Sequence, residues 1–332
     1  MERAFAGIDV SFAKGKRLPV VICTWNCGRL IPKRLQELSV APPRGSGNVA
    51  TLSDETVRGF AREAAAYLQD VSRRLGLRIV RIGIDAPRAP ATEGVRRAAE
   101  VAMDRVGVSC IATPSRGAFK KIKEKVTTHL DEGGAESTIP HANQLWMLVG
   151  FALYKELSSV AECIEVFPQA TVQALGVGHQ HKSGRGVAEA QLSAAARFTG
   201  WPTQWVKDPQ LGEIAWGPAH DLVDAYLSAW TAALSESDRV ALGTPPEDAI
   251  WIPRLPEGMG LEGAAKGAEK QSEEESRAEH RRVCPACGEK EFRRWPFGWD
   301  AHAAHRCKGL REGTPDARKT EFRMRFQHLF SG

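Results

Sequence analysis

No run of eighteen apolar residues occurs anywhere in the 332-residue chain, so no transmembrane helix is expected. The chain opens on a strand-like segment that ends in an acid, not on a basic region followed by a long apolar stretch. No signal peptide is expected. Cysteine is scarce, with seven residues in all, too few to scaffold a chain of this length through disulfides. Cys23, Cys27, Cys110 and Cys163 are scattered in apolar surroundings and read as buried free thiols; only Cys284, Cys287 and Cys307 cluster. A reducing, cytoplasmic compartment follows as the expectation. Internal repeats are also missing, which excludes solenoid and propeller architectures.

What is present is an ordinary apolar content of 42%, enough for a substantial core. The net charge is +5, but it is unevenly spread. From Arg281 to the end there are twelve Lys/Arg against six Asp/Glu, which leaves 33 against 34 in the preceding part of the chain. The basic excess therefore belongs to the C-terminal segment and points to a polyanion partner there.

The segment Ala4-Phe5-Ala6-Gly7-Ile8-Asp9 reads as a buried strand running into one acid. Leu18 to Trp25 is a second β-rich run, Asn26-Cys27-Gly28 a turn, and Arg29 onward a returning strand, which makes an antiparallel meander. A helix follows, capped by Ser53, with Val57, Phe60, Ala64, Leu68, Val71 and Leu75 on one face and Gly76 as its stop. Arg78 to Ile84 is the next strand and runs into Asp85. The intervening helix is a crossover, so this strand should lie parallel to the first. Further expectations are a helix over Glu93 to Val106, a short strand over Val108 to Ala112, and a basic helix opened by Thr113-Pro114-Ser115-Arg116-Gly117. Next come a helical stretch over His141 to Leu157, a strand over Cys163 to Phe167 carrying Glu165, and a long helix over Ala219 to Leu234.

Asp9 and Asp85 close two strands expected to be parallel neighbours, so their side chains should lie side by side. Asp221 and Asp224 are three apart on one helix and point the same way, and Glu165 ends a further strand. Carboxylates brought that close repel unless a cation sits between them. Hard oxygen ligands of this kind suit Mg²⁺ or Mn²⁺, ions that can hold a phosphodiester and activate a water. Lys14, Arg88, Arg116, Lys182 and Arg185 fall on loops that can face the same pocket and hold substrate phosphates.

Gly7-Ile8-Asp9-Val10, Ile84-Asp85-Ala86-Pro87, Glu165-Val166-Phe167-Pro168 and His220-Asp221-Leu222-Val223-Asp224-Ala225 together resemble a domain-of-unknown-function family, number 429, whose members are regarded as RNase H-like nucleases. The last of these segments is similar to the final catalytic helix of RuvC-type resolvases. The resemblance spans roughly residues 4 to 253. It implies an α/β fold with an RNase H-like mixed sheet, three antiparallel strands plus parallel ones, and helices on both faces. It also implies Asp9, Asp85 and Asp224 as magnesium ligands, with Glu165 and Asp221 as further catalytic candidates. RuvC-type enzymes usually carry Glu where this chain has Asp85.

Beyond this domain, taken as 1–254, the stretch 255–281 collapses to Gly, Ala, Glu, Lys and Ser and reads as a flexible linker. Within 282–312, Cys284 and Cys287 form a Cys-x-x-Cys knuckle. Fourteen residues separate Cys287 from His302, and four separate His302 from Cys307. That is close to the spacing of zinc-finger-type sites, with His305 as the competing ligand. Arginines interleaved with Trp295, Phe297 and Trp299 give it a nucleic-acid-contacting character. Residues 313–332 read as a basic amphipathic tail. The expectation is a nuclease that needs Mg²⁺ or Mn²⁺, with a Zn²⁺ finger that aids nucleic-acid binding and no membrane partner. Two other readings compete with it. One is a nucleic-acid-binding protein without catalysis. The other, ranked well below, is an actin/sugar-kinase-like ATPase. Gly7-Ile8-Asp9-Val10-Ser11-Phe12 is a poor phosphate loop for that class, and no Asp-x-Gly-Gly follows.

Overall fold

Strand β1 (Glu2–Asp9) is buried from Ala4 onward and pairs antiparallel with β2 (Val20–Asn26), which pairs antiparallel with β3 (Arg29–Pro32). The tight turn between β2 and β3 has Cys27 and Gly28 both at positive φ, 49° and 75°. Such a turn matches the strand twist. In this computed structural model the described residues are 1–47, 53–177, 186–203, 208–256, 259–261, 294–295 and 298–299.

Helix α1 (Asp54–Arg74) begins where Ser53 Oγ accepts the Thr56 N–H, places Asp54 and Glu55 in its first turn, and gives way to Gly76 at φ 64°. It crosses over to β4 (Leu77–Asp85), which lies parallel to β1 with Gly7 opposite Gly83 and Asp9 opposite Asp85. The chain continues through α2 (Ala98–Arg105), α3 (Arg116–Asp131), α4 (Ala142–Leu145) and α5 (Met147–Leu157). It then passes through β5 (Glu162–Val166), α6 (Pro168–Ala174), α7 (Val187–Thr199), α8 (Leu211–Ile214) and α9 (Ala219–Ala233). β6 (Arg239–Thr244) and β7 (Asp248–Pro253) finish the sheet. Its order is β3-β2-β1-β4-β5-β7-β6: β4, β5 and β7 are parallel to β1, and β6 is antiparallel at the edge.

The fold is thus α/β with a seven-stranded mixed sheet. Helix α9 crosses one face, over β1, β2 and β4. Strand residues alternate between faces. Ala6, Ile8, Ile82 and Ile84 therefore point away from α9 and are buried in the main apolar cluster, where α1 and α5 pack on each other and on β4. No helix among the described residues is long and apolar enough to cross a membrane.

Three expectations need correction. Of the four thiols expected to be buried, Cys23 and Cys163 are, but Cys27 is exposed in the β2–β3 turn and Cys110 is half-buried. The helix expected over Glu93 to Val106 spans only Ala98–Arg105, because the Asp248 carboxylate accepts from the N–H groups of Ala98 (2.6 Å) and Ala99 (3.4 Å) and so fixes the helix start. The stretch Val108 to Ala112 pairs with no strand. It runs as an irregular connection, and the next backbone N–H, that of Thr113, donates to Glu100 Oε1 at 2.7 Å. The structure divides into two compact units, Met1–Ala265 and Lys266–Gly332. Within the second, the described residues form a hairpin of β8 (Arg294–Trp295) and β9 (Gly298–Trp299).

Candidate metal centre

The site is built by glycine as much as by aspartate. Gly7 and Gly83 face each other across the β1–β4 pair, on the side that α9 covers. A Cβ on Gly7 would lie 1.9 Å from the Ala225 carbonyl oxygen and 2.3 Å from the Ala229 nitrogen; one on Gly83 would lie 2.3 Å from the Ser228 carbonyl oxygen. Glycine in a strand interior marks this kind of close backbone approach. The helix meets the two glycines with small residues, Ala225, Ser228 and Ala229, and so seats directly on the strands.

Two residues further along each strand, on the same face, come Asp9 and Asp85. Asp224 stands one residue before Ala225 on the helix that the glycines admit. Carboxylate oxygens of Asp9, Asp85 and Asp224 all lie within 4.8 Å of one another. Asp9 and Asp224 retain 9% and 7% of their exposure, and Asp85 is half-buried. Two unit charges at that separation repel by about 3.5 kcal/mol at an effective dielectric constant near 20. One hard divalent cation relieves all three pairs at once. Three carboxylate oxygens, with water completing the shell, fit Mg²⁺ or Mn²⁺ better than softer metals.

The other expected acids are placed differently. Asp221, in the first turn of α9, is buried and lies 2.9 Å from His220 Nε2; it is not in the three-carboxylate group. Glu165 pairs in register with Ile84, which itself pairs with Ile8. Register partners share a face, so Glu165 lies on the side of the sheet opposite Asp9 and Asp85. There it is 5% exposed and accepts from Arg97 through both oxygens, at 2.8 and 2.6 Å. Burial pushes the Glu165 carboxyl up, against the pull of the guanidinium. For Arg97, burial works against the charge, but the Glu165 and Asp248 carboxylates win and raise it.

This pair has a structural reach. Glu165 also accepts the Arg88 N–H at 3.0 Å, Arg97 donates to Asp248 at 3.0 Å, and the Tyr154 hydroxyl donates to the Ala86 carbonyl at 3.3 Å. The segment that leaves Asp85 is therefore held from behind. Arg97, Asp248 and Tyr154 were not among the expected site residues. Their partners lie 68 to 151 positions away in sequence, so no local signal marks them. Gly7 and Gly83 did carry a signal, as glycines inside strands.

Of the expected phosphate-binding residues, Lys14 is exposed in the turn after β1 and Arg116 is exposed at the start of α3. The Arg88 guanidinium reaches the Pro246 carbonyl at 3.2 Å and the Glu247 carboxylate at 3.7 Å. Lys182 and Arg185 lie outside the described residues, as do all four expected zinc ligands, Cys284, Cys287, His302 and Cys307.

Fold and site together define an α/β protein with a largely buried cluster of three aspartates able to hold a metal ion. The chain belongs to a family described as protein of unknown function (DUF429), which it matches over residues 21–248. The matched span contains Asp85 and Asp224 and begins after Asp9. No curated protein and no solved structure matches it.

Proposed function

We propose that this protein is an RNase H-like nuclease that hydrolyses nucleic-acid phosphodiesters with Mg²⁺ or Mn²⁺. The observation that carries the reading is the meeting of Asp9, Asp85 and Asp224 within 4.8 Å at the ends of adjacent strands beneath one helix. The strand order supports it: an antiparallel β1–β2–β3 meander followed by β4 and β5 parallel to β1, as in the RNase H-like fold that the sequence resembles.

In this reading Asp9, Asp85 and Asp224 hold the cation. When bound, it supplies a Lewis acid that orients a phosphate and activates water for in-line attack. The chain's own residues fix the geometry. Gly7 and Gly83 let α9 carry Asp224 onto the strands. The Arg97–Glu165 pair holds the backbone after Asp85. Lys14, Arg88 and Arg116, with Lys182 and Arg185, supply positive charge for substrate phosphates. The segment with Cys284, Cys287, His302 and Cys307 serves as a zinc finger that adds nucleic-acid affinity.

The test is paired melting and cleavage for the parent and Asp9→Asn. Mn²⁺ at a hundred times its dissociation constant should stabilise the parent by about 2.7 kcal/mol, roughly 5–11 °C for a domain of this size. Asp9→Asn should melt at or above the parent without metal, lose the Mn²⁺ increment, and lose cleavage of labelled DNA and RNA by several orders of magnitude. A variant that melts normally and still cleaves places the active site elsewhere.

A further inference from the structure

Outside the aspartate cluster, helix α3 has the largest net charge of the described helices, with five Lys/Arg against two Asp/Glu. Its buried face, Phe119, Ile122 and Val126, fixes it to the body of the domain, and the Phe119 ring meets Phe151 edge-on at 5.7 Å. Its outer side carries Arg116, Lys120, Lys121 and Lys125, and no described residue forms an ion pair with any of them. An open groove of about 710 Å³ runs along this helix, floored by Pro90, Phe119 and Leu148 and edged by Arg116, Lys120 and Lys123. Lys123 is already taken by Asp54 at 2.9 Å, and Glu124 bounds the cationic stretch. That leaves Arg116 and Lys120 as the available charges. They are four apart on one helix face, so their Cβ atoms are about 6 Å apart, a spacing that suits neighbouring phosphates of one extended strand.

The groove is also tied to the metal centre. Ala91 forms a parallel bridge to Ser115, the cap of α3, and its N–H donates to the Pro114 carbonyl at 3.2 Å. Six peptide steps join Asp85 to Ala91, which even fully extended span at most about 22 Å. The chain that leaves Asp85 thus leads within a few nucleotides' length to the first cation of the groove.

We infer that this groove binds the phosphate backbone of a single nucleic-acid strand, with Arg116 and Lys120 contacting adjacent phosphates and the apolar floor excluding water beneath them. The inference rests on the nuclease reading for its substrate class, and the experiment separates the two. The full chain is titrated in EDTA against fluorescein-labelled twelve-nucleotide DNA and RNA strands by anisotropy, over a range of salt. The variants are Arg116→Ala/Lys120→Ala and, as a control of equal charge change, Arg105→Ala/Lys155→Ala. All four side chains are exposed, and melting curves check that folding is intact.

Two lost phosphate contacts should reduce the slope of log K against log salt by about 1.4 and weaken binding about 25-fold at 0.1 M salt. The control pair should change neither. Where cleavage is seen in Mn²⁺, the groove variant should raise KM and leave kcat unchanged. Undiminished binding and slope in the groove variant, tight binding of an oligoglutamate of equal charge, or no strand binding by the parent would each overturn the inference. Groove-dependent binding by a parent that cleaves nothing in any metal would uphold the groove and sink the nuclease reading.

Discussion

Replacing Gly7 by alanine tests the geometric basis of the metal centre without touching a carboxylate. The new Cβ would lie 1.9 Å from the Ala225 carbonyl oxygen, whereas ordinary contact begins near 3.4 Å, so strand and helix must separate by about 1.5 Å. The two nearest obstructing groups, the Ala225 oxygen and the Ala229 nitrogen, are helix backbone, and the third, Ser228 Cβ at 2.9 Å, is fixed to it, so none can rotate aside. Overpacking typically costs about 1–3 kcal/mol. With no flexible side chain to yield, the cost should fall at or above the top of that range, a loss of roughly 6–12 °C in melting temperature. Asp224 adjoins Ala225, so the displacement that relieves the clash also carries its carboxylate away from Asp9 and Asp85. Mg²⁺ demands near-ideal geometry with bonds of about 2.1 Å and does not tolerate a ligand moved that far.

Gly7→Ala should therefore melt lower and also lose the increment conferred by Mn²⁺, read as thermal melts with and without the ion. The control is Gly59→Ala on α1, where an added Cβ meets nothing within 4 Å. It should stabilise the helix by about 0.5–1 kcal/mol and keep the full metal increment. A Gly7→Ala protein that melts like the parent and retains its Mn²⁺ response would refute the claim that α9 must seat on the strands to form the site.

Other outcomes follow from single contacts. Glu165→Gln should cost about 3 kcal/mol, the low end for breaking a buried ion pair because Arg97 keeps Asp248. Its Mn²⁺ increment should survive, and loss of that increment would place Glu165 on the metal. Cys284→Ser should lose one equivalent of zinc by metal analysis. Retention by His302→Ala with loss by His305→Ala would exchange the histidine ligand. Limited proteolysis should cut between Glu257 and His280 and leave a stable N-terminal fragment, whereas preferred cutting inside 55–235 would contradict that boundary.

Local signals carried most of the first half of the domain. Ser53 caps α1, Gly76 stops it, and Asn26-Cys27-Gly28 turns β2 into β3, because each acts through atoms a few residues away. The start of α2 was not legible because its cap is remote. Asp248 caps the helix from 150 positions downstream, so nothing local marks Ala98 as its first residue. The β-rich run at 108–112 failed for a related reason: strand propensity without a partner strand gives no ladder. The expectations above include no element at α6, α7, α8, β6 or β7.

The three aspartates and Glu165 show where sequence reasoning about a site stops. All four acids sit at the end of a strand or in a helix turn, flanked by apolar residues, and sequence alone gives them the same signature. Asp9 and Asp85 meet because a helical crossover fixed their strands as parallel neighbours and their registers coincide. For Glu165 the deciding quantity is the register of β5 against β4, where it stands opposite Ile84 rather than Asp85. A slip of one residue would turn it to the other face and add a fourth carboxylate to the cluster. In that register Glu165 pairs with Arg97 on the face opposite the aspartates. No local pattern marks either the register or the pair. The same burial that makes an acid at a strand end look like a metal ligand is met here by a guanidinium. Choosing between those two compensations requires the face on which the acid emerges.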